Sequence, residues 1–316
     1  MTFRHPVAKL RFVERAPRQE EWRALHRAAE RRVPDAEKAF TAALADLRRA
    51  TPLAEIRAAL ERGAPEIAVA AFPWAVLERS LEARLLPILQ GLAEKGGAVA
   101  VGGLERHFRR QFEVRKADPV KAGFDLINPE VLAELARHGA ELVTLITNET
   151  RAAIQQVVLS AQQQGLDVRE QAARIASTLR RSVGLNAPQA RALSNYEAGL
   201  REAGRSESDI RDLVGTRRDR MIQQRGRTIA RHETLRASNS GQQNVWRQAT
   251  TQGLLPVDQK RKWLTQGGNF ACPICEPMNG QVRGLNEEFE SPHNGARALY
   301  PPMHVACVCT TVLDFD

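Results

Sequence analysis

Cysteine is absent from the first 271 residues of this 316-residue chain, and the four that occur, Cys272, Cys275, Cys307 and Cys309, crowd near its carboxy terminus. That distribution excludes a disulfide framework spread through the fold and points instead to a metal. Long hydrophobic runs are also missing. The longest uncharged apolar stretch, Ile67 to Leu77, contains Pro73 and falls well short of the roughly 20 residues that a membrane-spanning helix needs. Arg4, Lys9, Arg11, Glu14 and Arg15 interrupt the amino-terminal residues, so no secretory signal is expected and the chain is expected to fold in a cytoplasm. Aromatic residues make up only 5% of the sequence. Few of them interleave with arginines, which disfavours a stacking surface for single-stranded nucleic acid.

What is present reads as helix. From about Glu14 to Gln248 the chain is rich in Ala, Leu, Arg, Glu and Gln, and strand-like alternation is scarce. Pro65, Pro73, Pro87, the Gly96-Gly97 and Gly102-Gly103 pairs and Pro119 are expected to stop or start segments. Asn128 followed by Pro129 predicts an N-cap with proline in the first turn, and Gly165 suits a carboxy-terminal cap. Between them Leu142, Leu145, Ile146, Ile154, Val157, Val158 and Ala161 recur at helical spacing. Asp167 with Glu170, Asn186 with Gln189, and Ser206 with Asp209 mark three further helix starts.

Past Trp246 the composition shifts to Gly, Pro and Asn with short strand-like runs such as Arg261–Leu264 and Val308–Leu313. The expected fold class is mainly α: an extended multi-helix body with a small carboxy-terminal α+β zinc-binding lobe. Three regions are expected: a helical region over 1–120, a helical body over 121–249, and a Cys/His lobe over 250–316. A lobe of that size cannot rely on a hydrophobic core alone.

Its reinforcement is legible. Cys272-Pro273-Ile274-Cys275 is a CxxC turn, and His304, Cys307 and Cys309 follow as HxxCxC after 28 intervening residues. Five thiolate or imidazole groups are thus available for the four positions of a tetrahedral zinc ion. A closed site of this kind would be structural. Disulfides or free thiols, and a catalytic metal with an open position, are the alternatives left by spacing alone.

The formal net charge is +9, which attracts polyanions irrespective of sequence or an acidic protein partner. The charge concentrates between Arg217 and Arg236, where Arg217, Arg218, Arg220, Arg225, Arg227, Arg231 and Arg236 stand against Asp219 and Glu233. Either this is a solvated helix face laced with ion pairs, or Arg217, Arg218, Arg220, Arg225 and Arg227 contact nucleic acid or an acidic protein ring.

Several motifs align in order: Ile229-Ala230-Arg231-His232-Glu233-Thr234, Asn239, Trp263, Cys272–Cys275, Asn279-Gly280, and Pro301-Pro302-Met303-His304-Val305-Ala306-Cys307-Val308-Cys309. Together they resemble the phage Mu F-like head morphogenesis family over about residues 120 to 316. In that family an alanine-arginine-threonine-glutamate helix precedes a CxxC and a terminal proline-proline-x-histidine-x-x-cysteine-x-cysteine. His232 stands where threonine is usual and Val308 where arginine is usual. The resemblance implies a minor head protein of a tailed bacteriophage, present in few copies in the virion at the portal vertex. It also implies a portal protein as partner, with packaged double-stranded DNA and capsid or scaffold proteins as further partners, and a role in head assembly and DNA packaging or ejection. Arg231 and Glu233 would then form an internal bridge between body and lobe, with Asn239 and Trp263 as structural positions. No catalytic residue is expected. Two enzymatic readings stand as alternatives: a zinc-containing nuclease using His232 or His293, and an ADP-ribosyltransferase using the ExE of Glu288-Phe289-Glu290.

Overall fold

A computed structural model describes residues 17–111, 123–126, 128–163, 167, 169, 171–265 and 272–315. The expectations attached to Arg4 through Arg15, Pro119, Gly165 and Glu170 lie outside the described residues. The rest is mainly helical, with a small strand region at the carboxy-terminal end. In chain order come α1 (Pro17–Ala50), α2 (Leu53–Glu61), α3 (Pro65–Ala70), α4 (Trp74–Gln111), α5 (Pro129–Gln163), α6 (Ala172–Ser182), α7 (Ala187–Glu202) and α8 (Glu207–Thr251). The strands are β1 (Lys260–Leu264), β2 (Val282–Gly284), β3 (Phe289–Glu290), β4 (Arg297–Ala298) and β5 (Thr310–Asp314). No helix among the described residues is long and apolar enough to cross a membrane.

Side-chain caps set several helix starts. Asn128 Oδ1 accepts from Val131 N at 2.9 Å, Asn186 and Gln189 form a reciprocal capping box, and Ser206 Oγ accepts from Asp209 N at 3.1 Å. Each satisfies a first-turn N–H that has no partner within its own helix. Asp167 behaves differently: its carboxylate accepts from Arg169 N two residues on, and α6 starts only at Ala172.

Three of the expected breaks are not breaks. Pro87, Gly96-Gly97 and Gly102-Gly103 all lie inside the unbroken 38-residue α4. The reason for Gly96 is tertiary. A Cβ built on it would meet the Ser238 carbonyl oxygen at 1.8 Å, and one on Gly241 would meet the Ala93 carbonyl oxygen at 1.7 Å. Helices α4 and α8 therefore cross backbone against backbone, and the glycines are a packing device rather than punctuation.

Helix α8, 45 residues long and roughly 67 Å at ~1.5 Å per residue, is the spine. Its earlier part joins α1 to α7 around one large apolar core that includes Phe40, Leu77, Ile154 and Leu179. Its later part shares a second core with α4 and the lobe, built from Ala100, Leu104, Val245, Trp246, Leu255, Leu285 and Leu313. In the lobe β1 is the central strand, antiparallel to β2 on one side and β5 on the other, with Arg261 opposite Arg283 and Leu313. Strands β3 and β4 form a separate hairpin.

The crossing makes a direct prediction. Gly241→Ala forces backbone apart and is expected to lower stability by about 2 kcal/mol or more. Gly91→Ala, in the crossing partner α4 but with open space where a Cβ would go, is expected to raise it by about 0.5–1 kcal/mol. Urea denaturation of both variants checks the contrast; equal effects would contradict the close approach.

Candidate metal centre

Two tight turns bring the cysteines and the histidine together. In the first, the N–H groups of Cys275 and Glu276 both donate to the Cys272 carbonyl, at 3.0 and 2.9 Å. A single 3-10 turn over Glu276–Met278 follows, and Gly280, at φ 83°, returns the chain to β1 by donating to the Trp263 carbonyl at 2.9 Å. In the second, Cys307 N donates to the His304 carbonyl at 3.1 Å, and Ala306 takes the left-handed φ of 64° that closes the turn. Cys309 then leads straight into β5.

The thiols and the imidazole converge. His304 Nε2 lies 3.0 Å from Cys272 Sγ and 2.9 Å from Cys275 Sγ, and Cys275 Sγ lies 3.7 Å from Cys307 Sγ. Cys272, Cys275 and His304 form one group able to hold an ion, and Cys275, Cys307 and Cys309 another, with Cys275 common to both. The four cysteines are free. A sulfur pair at 3.7 Å is far outside S–S bonding distance and close to the edge of about 3.8 Å in a tetrahedron with ~2.3 Å metal–sulfur bonds. The imidazole is also oriented for the task. Its Nδ1 lies 2.7 Å from the Val305 carbonyl, which fixes the proton there and leaves the Nε2 lone pair facing the sulfurs.

Without an ion the same groups share protons. Hydrogen bonds to Cys307 and then Cys309 push the Cys275 pKa far up, while those bonds, with Cys275 the main donor, hold Cys307 far below the usual thiol range. Buried thiols competing for protons are an unfavourable arrangement that a cation relieves. The donor set therefore fits a metal ion. Trp263, Met278 and Phe289, all fully buried, wrap the cluster, and the Trp263 and Phe289 rings meet edge to face at 5.1 Å.

The lobe is tied to α8 by polar groups removed from water. Thr310 Oγ1 donates to Asn239 Oδ1 at 2.6 Å, and Gln243 Nε2 donates to the Leu285 carbonyl at 2.6 Å. Arg261 is fully buried. Its guanidinium donates to Gln243 Oε1 at 2.9 Å and to the carbonyls of Leu299, Glu287 and Gly284 at 2.5, 2.6 and 3.2 Å. It also lies 4.9 Å from the centre of the Phe289 ring. Burial lowers its pKa to about 9, so it stays charged at neutral pH. On the other flank Trp22 of α1 donates its indole N–H to the Val308 carbonyl at 3.2 Å. Where α1 and α8 meet this turn there is a cleft of about 440 Å³ that includes His26 and His232. Burial pushes the His26 pKa down to about 4 and lowers that of His232, leaving both neutral at pH 7.

Among the motif residues, Asn239 and Trp263 join α8 and the metal cluster, respectively, as just described. Among the described residues Arg231 and Glu233 pair with helices of the body and not with the lobe. Arg231 is exposed and lies 3.4 Å from Glu30 of α1, while Glu233 is buried and sits 2.5 Å from His138 Nε2 of α5. Residues two apart on a helix point to nearly opposite sides. In the arginine run, Arg217, Arg220 and Arg227 are exposed, Arg217 stacks over the Tyr196 ring at 4.5 Å, and Arg218 pairs with Asp219 at 2.8 Å. Arg225 is not on that surface: it is 6% exposed and donates to Glu149 Oε2 at 2.7 Å and the Gly184 carbonyl at 2.8 Å. A cation already paired and enclosed in this way cannot meet an external partner.

Sequence reasoning missed Arg261, Gln243 and Trp22. Arg261 sits between two lysines and reads as a solvated strand residue. The usable signal was its place two positions from Trp263, on the same face of β1.

Replacing Arg261 with methionine leaves three carbonyls and Gln243 Oε1 short of a donor, and is expected to destabilise the lobe by about 3 kcal/mol or more. Arg261→Lys should recover little, because one ammonium cannot reproduce the planar fork. Urea unfolding followed by tryptophan fluorescence measures both.

The family model described as Phage Mu protein F like protein matches residues 152–312. That span runs from within α5 to within β5 and takes in every candidate ligand. No curated protein matches the chain, and no solved structure does.

Proposed function

The chain belongs to the Phage Mu protein F like family, and on that premise we propose that it is a minor head protein of a tailed bacteriophage. It takes part in head morphogenesis, sits in few copies at the portal vertex inside the virion, and acts in head assembly and in DNA packaging or ejection. The observation that carries this reading is the extent of the match, which takes in the later helices, from within α5 through α8, together with the Cys/His lobe. Its partners are the portal protein and, beside it, packaged double-stranded DNA and capsid or scaffold proteins.

The metal is zinc in a structural role. Thiolates and an imidazole are its preferred ligands, and the cluster is packed under Trp263, Met278 and Phe289. Cys272, Cys275, His304, Cys307 and Cys309 supply four of the ligands from five candidates, with Cys275 at the centre of the set. The regions are 1–120, 121–249 and 250–316, the first providing α1 to α4 as a brace for α8. The exposed Arg217, Arg220 and Arg227, with the half-buried Arg218 beside them, form the contact face toward the portal or DNA.

The chain acts here without catalysis. Phe289 of the ExE is core, and Glu290 pairs with Arg297 across the β3–β4 hairpin at 2.7 Å. His293 is exposed in the turn of that hairpin, and His232 is neutral beside Glu233. Phe289 and Glu290 thus have structural roles in the hairpin.

Quantitative mass spectrometry of purified DNA-filled particles is the test. A few copies per particle are expected. Absence from both particles and assembly intermediates would overturn the head role and return the enzymatic readings to consideration.

A further inference from the structure

A second cleft, of about 460 Å³, opens between α6, α7 and the beginning of α8. None of its lining residues belongs to the metal centre. Five arginines line it, Arg174, Arg181, Arg201, Arg211 and Arg218, against two carboxylates, Glu197 and Glu207.

The carboxylates are already committed. Glu197 accepts from Arg174 at 3.0 Å and also from Arg201, and Arg201 turns its Nε to Glu207 at 3.2 Å. Arg218 meets one oxygen of Asp219 at 2.8 Å, a carboxylate that is 67% exposed and so weakly felt. Arg181 and Arg211 pair with no carboxylate among the described residues; Arg181 meets only the Thr178 hydroxyl, at 3.4 Å. Burial, then repulsion from Arg218, lowers the Arg181 pKa; attraction to Glu197 opposes this in part, and Arg211 and Arg174 add to the repulsion. Arg48 is depressed by burial and by Arg218 in the same way. Guanidinium groups from α6 and α8 thus face one another across a partly dry cleft with too little negative charge between them. Such an arrangement costs folding energy, and an anion placed among them converts the repulsion into attraction. The forked N–H groups of arginine match the oxygens of a phosphate.

The cleft is also larger than a phosphate needs. Its inner wall is apolar, formed by Val157, Ala190, Leu193 and Ile210, three of them buried core residues apart from this opening. A ligand that carries phosphate on a flat or apolar group fits both halves.

We propose that this cleft is a phosphate-binding site, with Arg181, Arg211 and Arg218 as donors, taking the phosphate of a nucleotide unit that is either free or part of a nucleic-acid backbone. The proposal goes beyond the assembly role and holds whether or not the chain is found in particles.

The experiment uses the full purified chain at low salt, with pyrophosphate followed by calorimetry and a short labelled DNA duplex followed by fluorescence anisotropy. Each arginine lost is expected to weaken binding about tenfold. Arg181→Gln/Arg211→Gln should therefore weaken it roughly 100-fold and reduce the slope of log affinity against log salt for the duplex by about 2. Pyrophosphate binding that the duplex cannot displace assigns the site to a free phosphate-bearing ligand; duplex binding that pyrophosphate displaces assigns it to backbone. Arg137→Gln/Arg297→Gln, the same loss of charge outside the cleft, should leave binding of pyrophosphate as in the parent chain. Arg211→Gln alone guards against misfolding, since Arg211 is exposed and has no carboxylate partner to strand. Binding of neither probe, or binding by the double variant equal to that of the parent, overturns the proposal.

Discussion

Most of the second half of α8 is buried, without interruption from 237 to 246, and this one constraint organises the molecule. A helix can be covered so fully only if a neighbour approaches without side chains between, which Gly96 and Gly241 permit where α4 crosses it at carbonyl-contact distance. The enclosed stretch is not apolar. Glu233, Thr234, Ser238, Asn239, Gln242, Gln243 and Asn244 are all buried, and buried polar groups must find partners or forfeit the energy of hydration. Several find them on three sides: His138 of α5 for Glu233, Asn128 for Asn244 Oδ1, and Thr310, Leu285 and Arg261 of the lobe for Asn239 and Gln243. The helix thereby specifies where each of its neighbours must lie.

The lobe depends on this surface and on its own cysteines together. Its sheet has three short strands, and its apolar interior is little more than Trp263, Met278 and Phe289 around the thiols, so it needs the helix it packs against or a bound ion for stability. An ion at the cluster would join the CxxC turn to the strand that carries Cys309, and β5 then presents Thr310 to α8. Arg261 completes the link from the other side, a buried charge that is tolerable only because carbonyls and Gln243 surround it. Metal site and helix are therefore coupled through one continuous set of contacts rather than through a hinge.

Much of this was legible in the residues. The helical body, the capped starts at Asn128, Asn186 and Ser206, and the grouping of Cys272, Cys275, His304, Cys307 and Cys309 all follow from local chemistry and spacing. What was not legible is tertiary. The glycine pairs of α4 look like breaks because the effect of glycine on an isolated helix is unfavourable, and only the partner helix reveals their use. Arg225 reads as part of a charged face until Glu149, 76 positions away, is brought beside it. Arg231 and Glu233 read as a unit because they are adjacent in a motif, yet helical geometry sends one to α1 and the other to α5. The polar run of α8 resembles a solvated surface for the same reason: period and composition cannot report how many neighbours a helix has.

We propose that one zinc ion fastens the lobe onto α8. The most direct measurement is native mass spectrometry of the purified chain combined with amide hydrogen exchange before and after chelation. The account predicts one zinc per chain, with chelation exposing the amides of β1 and β5 while those at the α4–α8 crossing stay protected. A metal-free chain, or a lobe whose exchange is unchanged by chelation, would contradict it.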